Sequence, residues 1–234
     1  VLPLLTQHWP QAVDSIVHSA KLSRQAADTL QTAWLIALET LLDPPTGSLD
    51  ATGWLATESA LREPMLDHWL RTRGLSAPTT AQRLQIEQQC GARAGQQPCI
   101  RWRGAELHIW RDRLWATSPA PEIDPEWEQL WHGEPLLLPD GGMLSLSPPT
   151  VHLAQPLRVH LRRGGERIKP VGDRHTRKLC DLFQQAGTPP WQRAAVPLID
   201  AGNELVAIAD RWISDRGVAI FEQAGTQLRW QSAH

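Results

Sequence analysis

Little in this chain supports a fold built on covalent staples, a metal centre or a membrane. The three cysteines, Cys90, Cys99 and Cys180, are odd in number, far apart and without a CxxC pair. That pattern argues against a disulfide framework and a zinc knuckle, and it points to a reducing compartment. No run approaches the ~18 apolar residues needed to cross a bilayer, and no signal peptide opens the chain. A cytoplasmic protein with no membrane partner is therefore expected. Tyrosine is absent and phenylalanine occurs twice, which leaves twelve tryptophans as the large aromatics.

Catalytic signatures are missing too. The chain has no GxxxxGK(S/T) loop, no GxGxxG, no HExxH and no GxSxG. Its nine histidines never pair at i, i+4 as they would to hold a metal on a helix. No catalytic residue, metal ligand or cofactor is assigned within the chain. What remains is a composition of ordinary globular type, 41% hydrophobic and 21% charged, long enough for one large domain or two ordinary ones.

The organisation expected is α+β: a helical domain with a small antiparallel hairpin, then a mainly antiparallel β domain with one principal helix. Val13, Ile16, Val17, Ala20, Ala27, Leu30, Trp34, Leu38 and Leu41 recur at helical spacing. They predict a helix over 11–42, broken near Ser23 and stopped by the prolines of "DPPTG". A short strand at 48–49, one or two helices over 52–73 and a helix opened by a Thr79/Gln82 capping box follow. "CIRWRG", "AELHIWRD" and "RLWATS" then alternate as in a meander. The expected domains are 1–118, a proline-rich linker over 119–134, and 135–234. In the last of these, strands are expected near 136–138, 143–146, 157–161, 197–199, 205–213, 218–221 and 227–231. Its helix should run from an Asp173 N-cap to about Gln185.

Charge is unevenly placed. Between Arg158 and Arg193 stand nine Lys and Arg against three acids, a local +6, while the other 14 bases and 22 acids leave −8 elsewhere. Such asymmetry is expected of a surface that faces a polyanion. Arg162, Arg163, Arg167 and Lys169 lead into the expected helix, whose first turn would carry Arg174, Arg177 and Lys178. Cations there oppose the helix dipole, so a phosphate is the expected counterpart. Arg193 projects from the "TPPW" turn, and Gly164–Arg167 reads as a possible phosphate cradle or a plain two-glycine turn. In the first domain, Arg62, Arg71 and Arg73 are further candidates.

The stretch "TRKLCDLFQQAGTPPWQRAAVPLI", followed by "NELVAIADRWI", resembles the C-terminal domain of bacterial tRNA(Ile)-lysidine synthetases. The matching elements are Lys178-Leu179, Leu182-Phe183, Thr188 to Trp191, Arg193, Pro197 to Ile199, Val206-Ala207 and Trp212. Thr188 departs from the family, which favours an aliphatic residue there. "LREPMLDHWLRTRG" is similar to the family's middle domain, and "VLPLL" looks like the end of its N-terminal ATPase domain. The SGGxDS loop that holds ATP is not in these residues, so the chain is expected to be a C-terminal portion without the catalytic centre.

The resemblance implies a ligase that uses ATP and Mg, both bound in the missing N-terminal domain, to adenylate C2 of the wobble cytidine. Lysine, the co-substrate, then displaces AMP. The implied partners are an isoleucine tRNA with a CAU anticodon and the missing ATPase domain, and this portion would bind tRNA. Two other readings stay open from the residues alone. One is a stand-alone RNA-binding module, and the other an unrecognised enzyme around His160, Asp173 and His175.

Overall fold

A computed structural model describes residues 8–91, 98–119, 121–149 and 152–233. The chain divides into two compact units, Val1–Pro119 and Ala120–His234. "VLPLL" lies outside the described residues.

In the first unit, helix α1 (Ala12–Leu41) is continuous, with no break at Ser23. Its apolar stripe meets the core only near its end. Leu38 is buried and Trp34, Ala37 and Leu41 pack beside it, whereas Ile16, Val17, Leu22 and Leu30 are exposed. After the proline turn, β1 (Leu49–Asp50) hands the chain to α2 (Ala51–Ala56), whose first N–H groups at Thr52 and Gly53 bond the Asp50 carboxylate. Helix α3 (Ser59–Thr72) follows, then α4 (Thr80–Cys90), opened by the Thr79/Gln82 capping box.

Strands β2 (Cys99–Trp102), β3 (Ala105–Trp110) and β4 (Arg113–Thr117) form the expected meander, with β1 on its edge in the order β1-β4-β3-β2. Trp54, Met65, Leu66, Trp69, Leu70 and Ile86 pack on Leu107 and Leu114 to make the core. Strand β3 is buried on both faces over residues 105–108, with Glu106 and His108 on its outer side nearly as covered as Ala105 and Leu107 on its inner side.

The second unit is built on a five-stranded antiparallel sheet. Its strands are β5 (Glu128–Trp131), β8 (Leu157–His160), β11 (Leu198–Ala201), β12 (Glu204–Ile208) and β13 (Trp212–Ile213), in the order β13-β12-β11-β8-β5. A second sheet combines β6 (Leu136–Leu137), β7 (Met143–Ser147) and β14 (Gln227–Gln231). Leu144, Leu146 and Leu228 meet Trp131, Leu157, Val159, Ile199 and Val206 between the two sheets. Leu198, one step from Ile199 on β11, and its β12 partner Ile208 belong to the other face. There they pack with Leu179, Leu182 and Phe183 of α5 (Leu179–Gln185). No helix among the described residues is long and apolar enough to cross a membrane.

Several expectations need correction. The segment expected as a linker to residue 134 contains β5, which pairs with β8 over its whole length. The expected helix does not start at Asp173. Gly172 takes a left-handed φ of 83°, the Asp173 N–H closes a turn on Pro170 O, and Arg177–Lys178 form a strand, so the helix starts only at Leu179. The strand expected over 218–221 lies inside helix α6 (Asp215–Gln223), a second helix in this unit, whose N-cap Ser214 accepts from the Gly217 N–H. A short apolar run is ambiguous between strand and helix, and the Ser-Asp start signal decides it. The single strand expected over 205–213 is a hairpin, turned at Ala209 with φ 46°. Gly217 is required by close approach: a Cβ there would stand 2.4 Å from the Val206 carbonyl oxygen.

Candidate RNA-binding surface

The basic segment builds a short ribbon. Strand β9 (Arg167–Ile168) pairs antiparallel with β10 (Arg177–Lys178), in the register Arg177 to Ile168 and Lys178 to Arg167. Ile168 is buried beside Leu179 and Phe183, which anchors the ribbon to the core. The connecting loop is held at its far side, where Pro170 bridges Ser214 and the Val171 N–H bonds Ile213 O at 2.8 Å. Arg167 and Lys169 flank the buried Ile168 in sequence and are both exposed.

Arg167 and Lys178 stand directly opposite each other and both are exposed. Like charges facing each other across a ladder are destabilising, and a surface that carries such a pair gains stability from an anion placed between them. Lys169 and Arg174 are exposed nearby in sequence on the same loop. Among the described residues, no ion pair or hydrogen bond engages the side chains of Arg167, Lys169, Arg174 or Lys178.

The other expected cations, Arg71 apart, make contacts within the protein. Arg162 pairs with Glu166 at 3.8 Å, and Arg163 with Glu128 at 2.9 Å and Glu126 at 3.5 Å. Arg177 lies 3.6 Å from Asp173 and donates to Gln185 Oε1 at 2.8 Å. Arg193 donates to Thr188 O at 2.9 Å and sits over the Phe183 ring, so it braces the "TPPW" turn. In the first unit Arg62 donates to Thr57 O and pairs with Glu87. Arg73 donates to Ala116 O and Gly47 O, and its burial pulls its pKa down. Arg71 stays exposed, on an open groove lined by Trp34, Glu63, Pro64, Asp67 and His68.

The two-glycine turn is not a ready phosphate cradle. Glu166 Oε1 accepts from the Arg163 and Gly164 N–H groups at 2.5 Å each, so its own carboxylate fills the place an anion would take. The expected helix mouth fails as well, because the helix opens at Leu179 and no side chain caps it.

Sequence reading also missed a buried network on the five-stranded sheet. Asp200 on β11 is cross-strand from Arg158 on β8 and accepts from its Nη2 at 2.6 Å. His160 Nε2 lies 3.2 Å from the same carboxylate oxygen, out of line for a full hydrogen bond, while Nδ1 is 2.9 Å from Leu161 O. Burial pushes the Asp200 carboxyl up, but His160 and Arg158 together hold it below its ordinary value. The Asp200 carboxylate raises the His160 imidazole against the opposing effect of burial. His160 thus faces Asp200 on the sheet, and Asp173 faces Arg177 on the basic segment.

The sign of the pH effect follows. A raised His pKa stabilises below about 6.5 and is lost as pH rises through the folded value, and a lowered Asp pKa stabilises above about 3.8. The stability difference between the protein and its His160→Asn variant should peak between these two values and shrink at higher pH. Urea unfolding across this pH range checks it, and a difference that grows toward alkaline pH would reverse the assignment.

Comparison with known proteins fits both units. The family model described as the TilS substrate binding domain matches residues 49–115, and the TilS substrate C-terminal domain matches 157–230. The tRNA(Ile)-lysidine synthase of Xylella fastidiosa (strain Temecula1) is 38% identical over 240 residues, covering 99% of this chain and 54% of its own length. That of Xanthomonas campestris pv. campestris (strain 8004) is 33% identical, covering 100% of this chain and 54% of its own. The Escherichia coli O157:H7 protein of the same name is 30% identical, with 99% and 54% covered. The chain thus spans about half the length of the curated relatives it matches. A solved structure, described as the crystal structure of the TILS C-terminal domain, overlaps 46% of this chain and 99% of its own at 23% identity and a TM-score of 0.36.

Proposed function

We propose, from the premise that this chain belongs to the tRNA(Ile)-lysidine synthase family, that it is the part of such an enzyme that grips the tRNA and not the part that performs the chemistry. The observation that carries this reading is the ribbon, with Arg167, Lys169, Arg174 and Lys178 exposed and unpaired among the described residues. A-form RNA offers phosphates and a shallow minor groove, which cations on a fixed backbone suit better than bases buried in a duplex.

In this reading the whole enzyme uses ATP with Mg to adenylate C2 of the wobble cytidine in the CAU anticodon of an isoleucine tRNA. The lysine amine then displaces AMP. Those steps belong to a catalytic domain outside this chain, which alone is inactive. The second unit takes the acceptor stem through the ribbon. The first unit lies along the anticodon arm, with Arg71 as its remaining candidate contact.

Salt tests the electrostatics. Four phosphates neutralised by the ribbon give a slope of log K against log salt of roughly −2.8 to −3.6. Binding of this chain to isoleucine tRNA, measured by filter retention or anisotropy over a range of salt, should show it. A flat response overturns the reading.

A further inference from the structure

The outer face of the first unit's meander gathers chemistry that RNA binding does not use. Cys99 on β2 and His108 on β3 are directly opposed across the ladder, and Arg101 and Glu106 form the next pair on that face. Glu106 is 6% exposed and His108 8%. Cys99 Sγ lies 3.9 Å from His108 Nε2, which lies 3.1 Å from Glu106 Oε1. The sulfur, nitrogen and oxygen all fall within 4.8 Å of one another.

We propose that Cys99, Glu106 and His108 form a binding site for a divalent transition-metal ion of the zinc class, which clamps the hairpin of β2 and β3. A tetrahedral ion held at ~2.0–2.3 Å by N, O and S spaces its ligand atoms about 3.3–3.6 Å apart. The observed separations bracket that range, so small side-chain rotations bring the three atoms onto one ion. The donor set, thiolate, imidazole and carboxylate, suits zinc and its neighbours and disfavours magnesium or calcium.

The two oxygens of Glu106 divide the work. Oε2 accepts from Arg101 Nε at 2.9 Å, which fixes the carboxylate and leaves Oε1 turned to His108. Ligating carboxylates are commonly held in this way by an outer hydrogen bond. Entry of the ion displaces the Cys99 thiol proton to solvent and leaves the His108 proton on Nδ1, so that Nε2 can ligate. Three protein donors leave a fourth position for water. The spacing of these residues matches no zinc motif in sequence, because the site is completed by strand register and not by a loop.

The test uses the untagged 234-residue chain, stripped with a chelator and titrated with Co2+ alone. One equivalent should produce a sulfur-to-cobalt charge-transfer band in the near ultraviolet, and excess Zn2+ should remove it. Cys99→Ala should abolish the band, while a Cys90→Ser and Cys180→Ser double variant keeps it. Glu106→Gln, which retains the neutral Oε1, should weaken Co2+ binding at least tenfold. Circular dichroism of each stripped variant confirms folding before titration. Absence of a band in the folded unmodified chain, or its survival in folded Cys99→Ala, overturns the proposal.

Discussion

Replacing Arg167, Lys169, Arg174 and Lys178 together by Gln is expected to lower tRNA affinity on the order of a hundredfold to a thousandfold near ~0.1 M salt. Four charge-assisted contacts at about 1 kcal/mol net each would amount to about 4 kcal/mol. Folding should survive, because these side chains hold nothing in place among the described residues. Removal of the facing pair, Arg167 and Lys178, relieves repulsion, so the unfolding midpoint should stay level or rise slightly. The control is Arg162→Gln with Arg163→Gln. Those residues answer Glu166, Glu126 and Glu128, and their loss should cost stability with little effect on affinity. Equal weakening by both variants would mean that the ribbon is not the contact.

Trp69→Ala should cost about 3–5 kcal/mol of stability, the usual range for deleting a buried indole. Trp69 is 2% exposed within the first core and its Nε1 donates to Gly47 O at 3.0 Å. Arg73 stacks over the ring at 5.9 Å and shares the same carbonyl. The substitution therefore empties a large volume and loosens the turn that joins α1 to β1. Trp69→Phe keeps most of the packing and loses the hydrogen bond, with an expected cost of about 1–2 kcal/mol. Urea unfolding with an unchanged slope would show both effects. A loss under ~1 kcal/mol for Trp69→Ala would contradict the packing described.

How far the sequence could be read differs between particular elements. The boundaries of α1 follow from a long 3.6-residue pattern closed by prolines, and the Thr79/Gln82 cap from local hydrogen bonding alone. The exposure of its stripe could not be read, because a pattern says which residues share a face and not whether anything covers it. Charge failed for a related reason. The +6 counted along the segment omitted Glu126, Glu128 and Asp200, acids that strand pairing brings onto Arg158 and Arg163. Periodicity failed where it was shortest, at residues 173–178 and 218–221. There a glycine-led turn and a serine cap outweigh the pattern of a few apolar residues. Arg167, Lys169, Arg174 and Lys178 were legible as candidates, but their separation from the committed arginines needed the register.

The tethering of the ribbon at both ends has a kinetic and selective consequence. With Ile168 sunk in the core and the loop stitched to Ser214 and Ile213, the backbone surrenders almost no freedom when a ligand docks. Only the side-chain rotors remain to be immobilised, at about 0.5–1.5 kcal/mol each. A mount that cannot bend to its ligand favours phosphates already set at a matching pitch. A folded stem should thus outcompete heparin or an unstructured strand of equal charge.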